Sequence, residues 1–187
     1  MEQANIASTV AAWAKHPVIW QGYDDYFEGL MCIVRSGAMD NTTGEKIISY
    51  TKDYVARTPF TPVNNYSGEH YVRNYIGRDR KSGWEAIIMT WKEGNVTAIL
   101  SHPQFAGYVL ADGDLLVDFY EPTGDKNDRK AKKTGEIRVN SQEGYFSLSD
   151  IPGFENHIHR ISCLSPTGHS LHIYSDDALQ GFRFDVI

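Results

Sequence analysis

From Tyr71 to the end of the chain, apolar residues tend to fall at every second position, in runs that are short. "YVRNYIGR" is followed by the turn "DRKSG", and then by "WEAIIMTW", "NVTAILSH", "GYVLADG", "LLVDFYEP", "GEIRVN", "GYFSLS", "HIHRISCL", "HSLHIYS" and "GFRFDVI". Side chains in a strand alternate between its two faces, so a period of two marks strands with one face buried. Many short strands separated by Gly, Asn and Asp turns fit a sandwich or a closed barrel. No internal repeat or low-complexity tract interrupts the pattern.

Ahead of the strands the period is helical. Ile6, Val10, Trp13 and Ala14 recur at three- and four-residue steps until Pro17. A second amphipathic run covers Tyr23 to Val34, with Tyr26, Phe27, Leu30, Ile33 and Val34 on one side and Gly37 as its stop. A third spans about Glu45 to Val55. "RTPFTPVNNYSG" then breaks the pattern with two prolines, two asparagines and a glycine.

At 187 residues the chain is expected to form one domain with a sizeable core. Its net charge of −6 does not invite nucleic acid. No apolar stretch is long enough for a membrane span, and "MEQANIASTVAAWAKHP" does not resemble a secretory signal. Cys32 and Cys163 are far apart, without a CxxC pair, which suits a reducing cytoplasm and excludes a thiol-based zinc finger. "TGDKNDRKAKKTGE" holds five Lys or Arg; a solvated hairpin loop accounts for it better than a basic patch for an anionic partner.

The histidines are the candidate chemistry. His102 ends one strand-like run, His157 and His159 lie in "HIHRIS", and His172 lies in "SLHIYS". Residues two apart share a strand face, so His157 and His159 are expected to point one way, and Ser170, His172 and Tyr174 likewise. Imidazoles brought together from separate strands of a barrel suit Fe, Ni, Cu or Zn.

Over residues 66–187 the chain resembles the thiol dioxygenases of the cupin superfamily, of the cysteine dioxygenase type. "YVRN", "WKEGNVTAILSH", "FAGYVLADGDL", "HIHRIS" and "SLHIYS" fall in the family's order, and the last is similar to its S-x-H-x-Y motif. The resemblance implies a mainly β fold: a double-stranded β-helix, or jelly-roll, barrel over 66–187, with a mainly helical part over 1–60. It implies His102 and His159 as metal ligands, Arg73 as the clamp for a substrate carboxylate, and Tyr71 beside it. Ser170, His172 and Tyr174 become a hydrogen-bonded relay that presents the tyrosine hydroxyl to substrate. The implied cofactor is one divalent transition metal, iron first and nickel or copper as alternatives. Dioxygen is the implied co-substrate, and the partner is a small thiol such as L-cysteine.

Two positions depart from the family pattern. Leu100 stands where the first metal histidine belongs, and Gly107 lies near the point where some members carry a cysteine crosslinked to the relay tyrosine. Three accounts of Leu100 stay open. A neighbour replaces the ligand, His157 being the best candidate and Glu85, His70 and Gln104 poorer ones, with Glu85 expected to be an exposed carboxylate. Alternatively, water and a chelating substrate complete the metal's shell, or the barrel is a metal-free binding protein. An arginine and a polar trio are costly to bury unless used, which favours an altered enzyme. Plain sulfinate formation, or a different sulfur product such as a sulfonamide, are then the alternatives.

Overall fold

The computed structural model describes residues 18–124 and 128–187; the helical run expected over Ile6 to Ala14 lies outside them. Helix α1, Asp24–Arg35, buries Tyr26, Leu30 and Met31 along one face, with Asp24 and Asp25 in its first turn and Arg35 in its last, each complementing the helix dipole. Ser36 ends it, its hydroxyl donating to the Ile33 carbonyl at 2.8 Å. Helix α2, Asn41–Arg57, begins ahead of the expected Glu45 because Asp40 caps it. The Asp40 carboxylate accepts the Thr43 N–H at 2.8 Å, filling one of the unpaired donors of the first turn.

Among the described residues ten strands follow: β1 Val72–Arg78, β2 Glu85–Lys92, β3 Ile99–His102, β4 Phe105–Asp112, β5 Asp114–Thr123, β6 Lys130–Asn140, β7 Gly144–Leu148, β8 Asn156–Cys163, β9 Thr167–Tyr174 and β10 Arg183–Val186. They form a sheet in the order β1-β2-β9-β4-β7 and a closed set β10-β3-β8-β5-β6. A parallel pairing of β10 with β6 closes that set. The fold is therefore mainly β, two sheets with helices before them.

The polar segment expected as a loop is largely strand. Lys130 pairs with Thr123, Lys132 with Glu121 and Lys133 with Tyr120 across β5 and β6. Ala131 is buried while its lysine neighbours are exposed. The basic residues are thus the outer face of a strand, where Lys133 meets the Asp118 carboxylate at 2.7 Å.

Period two explains where the core sits. The first sheet is buried on both faces, so its strands carry two interleaved sets of side chains. Ala86, Ile88, Phe105, Val109, Leu171 and Ile173 face α1 and α2, packing with Tyr26, Leu30 and Ile47. Ile87, Met89, Trp91, Tyr108, Leu110 and Tyr174 face the other sheet, packing with Leu115, Val117, Val139 and Ile161. In β9 Leu171 and Ile173 face the helices, and the alternate positions Ser170, His172 and Tyr174 face the other sheet.

Candidate active site

In the barrel, β9 is the central strand, flanked by β2 and β4. Its inward side chains form a single line of hydrogen bonds: Ser170 Oγ lies 2.7 Å from His172 Nε2, and His172 Nδ1 lies 3.0 Å from Tyr174 Oη. Trp91, opposite on β2 and fully buried, puts its Nε1–H 2.7 Å from Ser170 Oγ. An indole nitrogen only donates, so Ser170 Oγ accepts from it, and giving the serine's own proton to His172 Nε2 pairs every polar atom at that buried end of the line. The serine hydroxyl gives its proton to His172 Nε2, His172 Nδ1–H donates to Tyr174 Oη, and the tyrosine proton is left free to point into the cavity. Burial, with Arg73 next in effect, holds the His172 pKa well below its ordinary value, consistent with a neutral ring. Burial pushes the Tyr174 phenol well up, so it stays protonated. Trp91 entered the sequence reading only as part of a motif; its partner on β9 becomes visible once the register is known.

Arg73 reaches the same cavity from β1. Its guanidinium lies 6.0 Å from the Tyr174 ring and 5.5 Å from the Tyr75 ring. Its one hydrogen bond to a carboxylate is a long one, 3.4 Å to Glu85 Oε1, and its buried Nε has no partner. A guanidinium carries five donors, so this half-buried cation is short of protein acceptors. Glu85 itself is fully buried, not exposed as expected. It accepts the Ala178 N–H at 3.1 Å, and its second oxygen lies 3.9 Å from Arg78. Burial raises its pKa to about 7, against the opposing pull of Arg73. The period-two pattern contained this answer, since Glu85 is in phase with Ile87, Met89 and Trp91. Tyr71 stacks on Trp91 with ring centroids 5.0 Å apart and walls the cavity beside Arg73.

His102 and His159 enter from β3 and β8 and meet in this cavity with Leu100. Their rings stack, centroids 4.3 Å apart and planes 19° from parallel, and both are buried. His102 Nδ1–H donates to the His157 carbonyl at 3.0 Å, leaving Nε2 as the atom with a free lone pair. His159 Nδ1 is buried without a partner. Burial lowers the His102 pKa to about 4 and holds His159 well below its usual value. Leu100 pairs directly with His159 across the strands, on the inward face where the resemblance places a third imidazole.

His157 does not follow the expected alternation. Its φ is +41°, and the β3–β8 register slips there. This bulge leaves His157 exposed while His159 is buried, with its ring centroid still 5.1 Å from that of His159. His70 is exposed and outside the cavity. The Gln104 amide donates to the Ser149 carbonyl at 3.1 Å instead. A side chain at Gly107 would meet Ile48 of α2, away from Tyr174; Ala106 is the residue that pairs opposite Tyr174.

Two neutral imidazoles, one with an orphaned buried nitrogen, fit a borderline divalent metal in donor chemistry. Among the described residues no three His, Cys, Asp or Glu side chains are placed to share an ion. An imidazole lone pair lies in the ring plane, so one of the two stacked rings has to turn before both meet one ion. The remaining positions fall to water or to a bound ligand.

No family model matches the chain, and no curated protein matches it. Solved structures similar to it at low identity include a protein with a double-stranded β-helix domain from Klebsiella pneumoniae, 9% identical, with a TM-score of 0.49 over 68% of this chain and 96% of that one. A cupin superfamily protein from Desulfitobacterium hafniense is 11% identical, with a TM-score of 0.47 over 64% of this chain and 90% of that one. Recombinant oxalate oxidase in complex with glycolate is 12% identical, with a TM-score of 0.45 over 64% of this chain and 58% of that one.

Proposed function

We propose that this chain is a cupin enzyme of the cysteine dioxygenase type, oxidising the sulfur of a carboxylate-bearing thiol with dioxygen in a reducing cytoplasm. One observation carries the proposal. Arg73 is a half-buried cation short of acceptors, in one cavity with His102, His159 and the hydroxyl end of the Trp91–Ser170–His172–Tyr174 line. Such a guanidinium gains two charge-assisted hydrogen bonds from a ligand carboxylate. His102 and His159 are the residues to hold a metal, iron by resemblance, nickel or copper as alternatives. When bound, that metal supplies thiol acidification and electron transfer to dioxygen.

The chain's own part is placement. Arg73 fixes the acid end, Tyr71 walls it, and Tyr174 donates a hydrogen bond into the space beside the sulfur. The overall change is R–SH plus O₂ to R–SO₂H: both oxygen atoms join sulfur, sulfur gives up the four electrons that dioxygen takes, and the thiol hydrogen ends on the sulfinic acid. A second reading, a carboxylate-binding barrel without metal, is favoured by Leu100 and by the stacking of His102 on His159.

Oxygen uptake with iron-supplemented protein separates the two. Cysteine, homocysteine or 3-mercaptopropionate is expected to consume one O₂ per thiol. Cysteamine, which lacks the carboxylate, is expected to be inert, and Arg73→Ala is expected to abolish uptake with the acids. Absence of uptake with every thiol, under iron, nickel and copper alike, discards the enzyme in favour of the binding protein.

A further inference from the structure

The cavity beside Arg73 is about 20 Å³, room for about one water molecule. Every residue that lines it is buried or half-buried. A ligand larger than a water molecule therefore does not fit wholly inside it. A second cavity of about 140 Å³ lies against it, walled by Tyr108, Val117, Phe119, Ile137, Tyr145 and Phe146. His159, His172 and Tyr174 line both spaces. The larger one reaches the surface, because Tyr145 and His157 line it and are exposed.

We propose that the ligand of this site is a carboxylic acid with an aromatic or branched apolar arm, the acid seated on Arg73 and the arm filling the larger cavity. This rests on the carboxylate-binding role given to Arg73 above. The larger cavity is walled by aromatic rings and aliphatic side chains, so apolar ligand surface gains there, and its only histidines sit toward the shared wall and the mouth. An acid as small as cysteine leaves this space unused. His159 and His172 lie on the wall the two spaces share, so an acid whose arm spans both places its central carbons beside the imidazoles, where the thiol of a substrate belongs.

Calorimetric titration of the metal-free protein with propionate and 3-phenylpropionate tests this without turnover. The phenyl acid is expected to bind at least about tenfold tighter. Val117→Trp, which fills the cavity, is expected to remove that advantage. Phe119→Ala, which widens it and does not overpack the core, is expected to move the preference to a naphthyl acid. Arg73→Gln is expected to weaken propionate and 3-phenylpropionate alike. Equal affinity of the two acids for the unaltered protein overturns the proposal, as does a phenyl preference that survives Val117→Trp or ignores Arg73→Gln. If cysteine is oxidised and the acids bind equally, the arm is wrong and the enzyme stands. If the phenyl acid binds as expected and no thiol consumes oxygen, the ligand class stands and the enzyme is wrong.

Discussion

Glu85 sets how strongly Arg73 holds an acid. Glu85 is fully buried and Arg73 half-buried, and burial raises the carboxyl's pKa to about 7 against the pull of the guanidinium. Below that pH it is mostly neutral, and the positive field of Arg73 is open to a ligand carboxylate. Above it, Glu85 is charged and competes. Affinity for 3-mercaptopropionate is therefore expected to fall as pH rises through about 7, by roughly threefold to tenfold, and Glu85→Gln is expected to flatten that fall. Calorimetry on either side of neutrality checks both, provided the thiol itself stays protonated.

Trp91 is a positioning residue of a different kind. It has no contact with substrate in this scheme, but its indole proton decides which way the serine and histidine protons point. Tyr174→Phe removes the hydroxyl at the end of the line and is expected to lower turnover about 100-fold or more. Trp91→Phe keeps an aromatic ring but loses the N–H together with some buried packing, so the expected loss of turnover is smaller, roughly tenfold, with KM unchanged. Because Trp91 and Ser170 act through one path, the double variant Trp91→Phe with Ser170→Ala is expected to be little worse than either single change. A purely structural indole would instead give additive losses and a lowered midpoint of thermal unfolding.

At the scale of elements, the connection from Phe60 to Tyr66 is stapled to β9 by His169. The His169 Nδ1–H donates to Asp112 at 2.8 Å and its Nε2 faces the Val63 carbonyl at 2.8 Å, so each ring nitrogen faces an acceptor. Burial opposes the charged form, but these partners outweigh it and raise the pKa. A group with a raised folded pKa stabilises fully below its unfolded value, near 6.5, and loses that contribution as pH climbs through the folded value. Stability is expected to decline over that interval in urea titrations, and His169→Gln is expected to remove the pH dependence.

The elements also show what a sequence pattern reveals. The strands were legible because each has a distinct interior face, and the Ser170, His172 and Tyr174 face followed from the same alternation. Glu85 was equally in phase with Ile87 and Met89, but a carboxylate at the start of a run looks like a surface residue until its arginine partners are in place. His157 was unreadable for another reason. A bulge adds a residue to one strand and reverses the phase beyond it, and nothing in "ENHIHR" marks a non-glycine residue at positive φ. Asp40 was a visible cap that the apolar spacing of α2 pulled past.

For the molecule as a whole, the helices and the site share one sheet. Leu171 and Ile173 of β9 bear on α1 and α2 while His172 and Tyr174 face the cavity, so whatever tightens the interior also steadies the helix-covered layer. The pairing of the two sheets, which brings Arg73 from β1 within reach of His159 on β8, depended on contacts between distant segments that no local pattern encodes. A ligand that bridges the sheets should therefore report on global stability. A ligand that binds only the folded state adds about 2.7 kcal/mol at a concentration of 100 times its Kd. For a chain of this size that corresponds to a rise in Tm of roughly 5–10 °C. Saturating 3-phenylpropionate is expected to produce that rise in the unaltered protein and almost none in Arg73→Gln, because the acid end then lacks its cation. The variant itself is expected to stay folded, since Glu85, losing its partner, remains protonated at neutral pH. A Tm rise of equal size in both proteins places the acid somewhere other than between the sheets.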